Sequence, residues 1–566
     1  TRVKNKSRTL KNRSPFPGLK AYMEEDLPFF VGRDREKYPL LKKLSEDTFV
    51  SIRGANGVGK TSFVNCSILP EVKAGYLAGG KKKWKIASFT PGKNPISALA
   101  VAMAASITKE FDSDTIEPNL SDKFENILRY NRYGLIDIID EYSLVSDSNV
   151  LLFIDQLDEL IFYSEPDSAS IFIERLVEAA NQSAYPVHIL TCSRPEFDGE
   201  LAMHPQFNEL INRDHFVQFG ELISRNNFPL AQIDQSTLMS VFDKLTASGL
   251  LHFRPALIDH IVKYYADNPI VLEKFQHSLK LSIGEVKADR GIKTIGPLHL
   301  KTVGGLNESI SNQLENIYHG FRDYEQETCR LLFQALTFTT DSGIQKITVK
   351  TLNRLCELTD RSSEELIPII KAFADESCQV IMVRQSSDIQ GRLTQLDLIH
   401  EPVEDRFTPY SEIFISREVI IQIWSRLSQW VKDESEDAIL YTDIAEAARK
   451  KDHPYQGEKL KLTLAWYHSK VPKKAWALQY HEGFEPAIEF ILESEKLAIR
   501  DTQIRRAEEL SRQQKSARNK RIIGAILFVG VVLLIYSGFE TKDAFEANQK
   551  ANQAELEASK SSLRAS

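Results

Sequence analysis

Between Phe16 and position 215, short apolar runs alternate with longer stretches whose apolar residues recur at helical spacing. FVSIRG, KIASFT, VLLFID and PVHILTCS are nearly continuous apolar runs of strand length. Strands buried on both faces read this way, so residues 16–215 are expected to form a parallel sheet covered by helices. From 216 to 300 the strand signals fade, and LMSVFDKLTASGLL, ALIDHIVKYY and PIVLEKFQHSLKLSI read as the amphipathic helices of a small lid domain. Within 301–425, three helical patterns (QETCRLLFQALTF, VKTLNRLCEL, SEELIPIIKAFAD) precede a strand (CQVIMVR), a polar turn and a second strand (RLTQLDLI). That is the element order of a winged helix. Such a unit either contacts DNA or packs against other domains, and the acidity of its third helix favours packing.

Helical patterns continue through 426–497, followed by a charged helix over 498–521 and an uncharged apolar run over 522–539. An Ala-, Lys- and Glu-rich helical or coiled-coil tail follows over 540–566, while residues 1–15 read as a basic, solvated linker. At about 1.5 Å per residue, the apolar run reaches roughly 27 Å, just short of a hydrocarbon core of about 30 Å. Lys515, Arg518, Lys520 and Arg521 precede it, so a span here would leave the large N-terminal region in the cytoplasm. The alternative is a buried or self-associating apolar helix.

A length of 566 residues implies about three to five domains. A hydrophobic fraction of 42% with 26% charged residues excludes wholesale disorder and a polytopic membrane protein. The net charge of -7 argues against a dedicated nucleic-acid binder. Five scattered cysteines with no C-x-x-C pair indicate neither a disulfide framework nor a zinc site, which fits a reducing cytosol. The chain starts at Thr1 with no secretory signal, which reads as a piece of a longer protein.

Directly after FVSIRG, the stretch from Gly54 through Asn56, Gly57, Val58 and Gly59 to Lys60, Thr61 and Ser62 matches G-x-x-x-x-G-K-[ST] between a strand and a helix. The glycines let backbone N–H groups wrap a polyphosphate, Lys60 reaches its terminal oxygens, and the Thr61 hydroxyl ligates Mg²⁺. The metal needs a second anchor, expected from a neighbouring strand, and Asp155 ends VLLFID at the carboxyl edge where such sheets bind ligands. Either Asp158 or Glu159 is placed to orient the attacking water, or serves as a helix cap and first-turn acid. Arg194, at the end of PVHILTCS, is placed to touch a γ-phosphate, or pairs with a surface acid. The absence of N-K-x-D favours adenine over guanine. KKKWK, at 81–85, reads as a solvated hairpin edge leading into a strand.

These segments, in this order, resemble the bacterial STAND NTPases, relatives of NACHT and NB-ARC proteins, and within them the subgroup commonly linked to WD-repeat sensors. The similarity rests on SPFPGLKAYMEEDLPFFVGRDRE, GANGVGKTS, WKIASFTPGKNPISALA, LLFIDQLDEL, LTCSRPEF and VGGLNESISNQLENIY. It implies that Val31, Gly32 and Arg33 lie near the adenine and that Pro269, in ADNPIVLEKFQHSL, lies close to the nucleotide. Relatives carry a His-Glu pair before a Trp-containing helix. Here Arg417-Glu418 stands at that place, while His400-Glu401 stands earlier, ahead of what reads as an insertion (PVEDRFTPYSEIFI). That departure leaves His400, Arg417 or neither as the residue that senses bound diphosphate, with His400 otherwise an ordinary surface histidine.

The resemblance further implies a slow ATPase used as a switch, closed with ADP and open with ATP. On sensing a signal it would oligomerise and engage an effector outside this chain, often in antiphage defence or programmed cell death. A membrane-tethered ATPase motor with continuous turnover is the alternative.

Overall fold

A computed structural model of the chain describes residues 14–563 apart from 78–82, 109–118, 147, 163, 183–186, 198, 200, 202–213, 248, 250, 268–271, 287–292, 340–342, 344 and 385–406. Five strands, β1 (Phe49–Arg53), β2 (Lys83–Phe89), β3 (Ser148–Ile154), β4 (Val187–Ser193) and β5 (Asn227–Pro229), form a parallel sheet in the order β2-β3-β4-β1-β5. The continuous apolar runs have the expected cause. Along β3, Val150, Leu152 and Ile154 enter one hydrophobic core while Leu151 and Phe153 enter another on the opposite face. Helices Pro95–Thr108 and Pro166–Ala180 cover the first face, and helix Asp34–Glu46 with the helical run after β1 covers the second.

Three details differ from the sequence reading. The strand bearing Asp155 does not neighbour β1, because β4 lies between them. β5, only three residues long, falls beyond position 215 and pairs with Ser51, Ile52 and Arg53 of β1. β2 is no hairpin arm: its partner is β3, in parallel register from Lys83↔Ser148 to Phe89↔Ile154.

Helices Gln235–Ala247, Pro255–Asp267 and Leu272–Glu285 follow, with a short parallel pair, β6 (Leu251–Phe253) and β7 (Lys293–Ile295). Phe16, Tyr22 and Phe29, from the segment before the sheet, complete their core. Helices Gly305–His319 and Asp323–Ala335, an antiparallel pair β8 (Thr337–Thr339) and β9 (Gln345–Ile347), and helices Leu352–Thr359 and Ser363–Ala374 come next. They enclose Phe333, Phe373 and Trp424 together with a sheet ordered β10-β12-β11, where β10 is Lys350–Thr351, β11 is Ile381–Arg384 and β12 is Glu412–Ile415. The EIFI segment, read as part of an insertion, is thus the middle strand, antiparallel to both neighbours. The strand expected at RLTQLDLI lies outside the described residues.

The chain divides into a unit ending at Glu436 and a second beginning at Asp437. The second has its own core of Tyr441, Ile444, Leu460, Trp466 and Phe490. The three segments that composition separates after 497 belong to one helix, Phe484–Leu563, of 80 residues, roughly 120 Å long at about 1.5 Å per residue. Among the described residues this is the one helix long and apolar enough to cross a membrane. Ile526, Leu527, Phe528 and Leu534 are exposed along it.

Candidate functional site

The loop after β1 turns through left-handed backbone at Gly57 (φ 75°) and Gly59 (φ 92°), conformations that glycine adopts without steric cost. Gly54 is required for another reason. A Cβ there would stand 2.7 Å from the Leu230 carbonyl oxygen and 2.9 Å from Val58 Cγ1, so the loop packs against the end of β5 only without a side chain. The Lys60 ammonium folds back on the loop, donating to the carbonyls of Gly54 (2.6 Å) and Ala55 (3.2 Å). Burial lowers its pKa, against the opposing pull of Cys192, Asp158 and Asp155.

The Thr61 hydroxyl donates to Asp155 Oδ2 at 2.8 Å across the intervening strand. Asp155 Oδ1 is buried without a hydrogen bond. Burial raises the Asp155 pKa, while the Thr61 hydroxyl, Arg417 and Lys60 pull it down. A hydroxyl and a carboxylate with an unused buried oxygen, set beside a glycine loop, suit a hard divalent cation shared with phosphate oxygens. Among the described residues no group of three or more His, Cys, Asp or Glu forms a metal cage.

Beyond Asp155 the backbone kinks through Gln156 (φ 52°), which sets the next two carboxylates apart. Asp158 accepts from the Arg194 amide at 3.1 Å and faces the Arg194 Nε at 3.4 Å. It is therefore committed to holding Arg194. Glu159 accepts the Gly92 N–H at 2.8 Å. Burial pushes its pKa up to about 7, against the charge of Arg384, the Gly92 amide and the Thr90 hydroxyl, with Asp155 adding to the rise. Of the two acids, Glu159 has the environment of a proton acceptor.

A cavity of about 1150 Å³ opens over these groups. Val31, Arg33, the loop from Asn56 to Ser62, Asp155, Asp158, Glu159, Arg194 and Arg417 all line it, whereas Gly32 and Gly54 stand behind its wall. Arg33 is buried and spends its guanidinium on the carbonyls of Val58 (2.7 Å) and Ala231 (2.8 Å), so it braces the loop. Arg417 Nε lies 3.4 Å from the Leu19 carbonyl and its charge acts on both Lys60 and Asp155. Pro269 and His400 lie outside the described residues.

Sequence reasoning missed Arg384, at the end of β11. It pairs with Glu412 (2.7 Å), its register partner on β12, and donates to the Thr90 hydroxyl (3.1 Å) just past β2. The signal existed, an arginine ending an apolar strand, but its partner lay in the segment read as an insertion. Lys346 was missed as well: it stands over the Phe162 ring at 4.5 Å, which also carries Arg194 at 5.1 Å, and it pairs with Glu418.

A family model described as Novel STAND NTPase 1 matches residues 15–456. None of the curated proteins compared with the chain matches it. Solved structures similar to it include the ORC2 protein of Aeropyrum pernix in its ADPNP–ADP complexes, at 12% identity and a TM-score of 0.37, covering 71% of this chain and 94% of that one. The ADP form of that protein shares 13% identity at a TM-score of 0.35, covering 72% and 95%. A Walker-type ATPase of Pyrococcus abyssi shares 14% identity at a TM-score of 0.32, covering 64% and 93%.

Proposed function

From the premise that this chain belongs to the STAND NTPases, in the family described as Novel STAND NTPase 1, we propose that it is an adenine-nucleotide switch, closed with ADP and opened by ATP. One observation supports this reading most. The cavity over Lys60 is walled by the parallel-sheet core on one side and by Arg384 and Arg417 from around the β10-β12-β11 sheet on another. A ligand held by both walls stabilises the arrangement that brings them together, and a change in its phosphate charge biases that arrangement.

The loop N–H groups and Lys60 would grip the phosphates, and Arg417 would read the terminal charge of a diphosphate. Thr61 and Asp155 would hold Mg²⁺, which neutralises phosphate oxygens when bound. Glu159 would take the proton of the attacking water, and Arg194, fixed by Asp158, would face the γ-phosphate. Hydrolysis then resets the switch. In the winged-helix reading, the helices and sheet of 301–425 act as the moving part, and those of 216–300 as a lid. The activated form would self-associate and engage an effector beyond this chain. A membrane contact through 522–539 would hold the assembly at the cytoplasmic face. A setting in antiphage defence or programmed cell death is supported by the family resemblance alone.

The test compares steady-state hydrolysis and light scattering of the full chain. The switch predicts turnover of about 0.001 to 0.01 per second and a mass increase with a non-hydrolysable ATP analogue. Fast, Lys60-dependent turnover by a monomer would support the motor instead.

A further inference from the structure

Two arginines, Arg384 at the end of β11 and Arg417 two residues past β12, reach the cavity and serve opposite ends of it. The charge of Arg417 acts on Lys60 and Asp155, where the loop and metal anchor are. The charge of Arg384 acts on Glu159. Its Nη1 donates to Thr90 Oγ1 at 3.1 Å, its Nε is held by Glu412 Oε2 at 2.7 Å, and its Nη2 would stand 3.7 Å from a Cβ on Gly92, the residue whose N–H holds Glu159. Thr90 and Gly92 belong to the loop after β2, and Glu412 to β12. The Arg384–Thr90 contact therefore ties the three-stranded sheet to the loop that positions the candidate water-activating carboxylate.

We propose that the Arg384–Thr90 bridge is a nucleotide-reading latch: it holds the sheet against the core while the site contains a diphosphate, and it is released when a γ-phosphate enters between Lys60 and Glu159. Arg384 exchanges the Thr90 hydroxyl for the γ-phosphate in this scheme. A guanidinium prefers a phosphate to a neutral hydroxyl, since the phosphate adds the attraction of opposite charges and can accept two parallel N–H bonds. An arriving γ-phosphate thus competes with Thr90 for the guanidinium, and Glu412, fixed to it, moves with it. The inference rests on the adenine-nucleotide reading above.

The experiment measures ADP and non-hydrolysable ATP-analogue affinities of the full chain for wild type, Arg384→Ala, Arg384→Lys and Thr90→Val, with thermal unfolding as a folding control. Thr90→Val leaves the Arg384–Glu412 pair intact, so it tests the latch even if Arg384→Ala fails to fold. Thr90→Val, which removes the bridge and leaves the guanidinium, is expected to weaken ADP binding about tenfold, the scale of one lost hydrogen bond to a charged group, and to change analogue binding less than about threefold, whereas Arg384→Ala, which also removes the partner of the γ-phosphate, should weaken both. Arg384→Lys should recover part of the ADP affinity. In Thr90→Val, equal loss for both ligands, no change in either, or a larger loss for the analogue would each overturn the latch. If wild type binds neither nucleotide, the nucleotide reading itself fails. If wild type binds both and Lys60→Ala neither, only the latch is at stake in the other variants.

Discussion

Thr61 and Asp155 stand 94 positions apart yet share a 2.8 Å hydrogen bond, and the groups around that bond make separable predictions. Lys60 folds directly onto the loop carbonyls of Gly54 and Ala55, so Lys60→Ala should weaken ATP binding on the order of 100-fold, as read by calorimetry, with the fold retained. Glu159→Gln keeps the size of the side chain and removes the proton acceptor. Turnover is expected to drop about 100-fold or more with nucleotide affinity within about threefold of wild type; an unchanged turnover would remove Glu159 from the chemistry. Because burial pushes Glu159 up to about 7, its carboxylate, the form that accepts a proton, is depleted below that value. Hydrolysis should therefore rise with pH through about 7, and this limb should vanish in Glu159→Gln. At Gly54 the expectation is structural: Gly54→Ala sets a methyl group 2.7 Å from the Leu230 carbonyl, an overpacking cost of about 1–3 kcal/mol measurable by denaturant unfolding.

Helix Leu272–Glu285 shows how elements are tied together. His277 Nε2 meets Gln313 Oε1 at 2.7 Å, Gln313 donates to the Ser377 carbonyl, and Lys280 donates to the carbonyls of Pro17 and Glu376. Burial lowers the His277 pKa from 6.5 to about 4; the Lys280 charge adds to this and Gln313 opposes it. The folded form therefore binds fewer protons than the unfolded chain below pH 6.5. The stability from neutral His277 is complete above 6.5 and declines as pH falls toward 4, by about 3 kcal/mol in total. Urea midpoints at pH 7 and pH 5 should separate for wild type and converge in His277→Gln. Legibility at this scale followed the range of the interactions involved. Runs such as VLLFID announce a strand buried on both faces, and the Gly54–Thr61 spacing announces its loop, because both are local demands. The placement of β4 between β1 and β3 depends on how crossover helices pack, and no single run encodes it. β5 has only Asn227, Phe228 and Pro229, too few residues for a pattern. β12 was hidden because its partners lie far off in sequence, and Arg384 was hidden with it. The helix Phe484–Leu563 runs through three changes of composition because no proline follows Pro486, and its isolated glycines each cost only about 1 kcal/mol.

For the molecule as a whole, the exposed apolar stretch of that last helix and the cavity over Lys60 lead to different experiments. Removal of residues 522–539 should move the chain from the membrane fraction to the soluble one, and full-length protein that is already soluble without detergent would contradict anchoring. The switch itself depends on what occupies the cavity at rest. The most direct test is to denature purified full chain and identify the released nucleotide by mass spectrometry. The account predicts ADP at close to one per chain and its loss in Lys60→Ala. A guanine nucleotide, or no nucleotide from either protein, would contradict it.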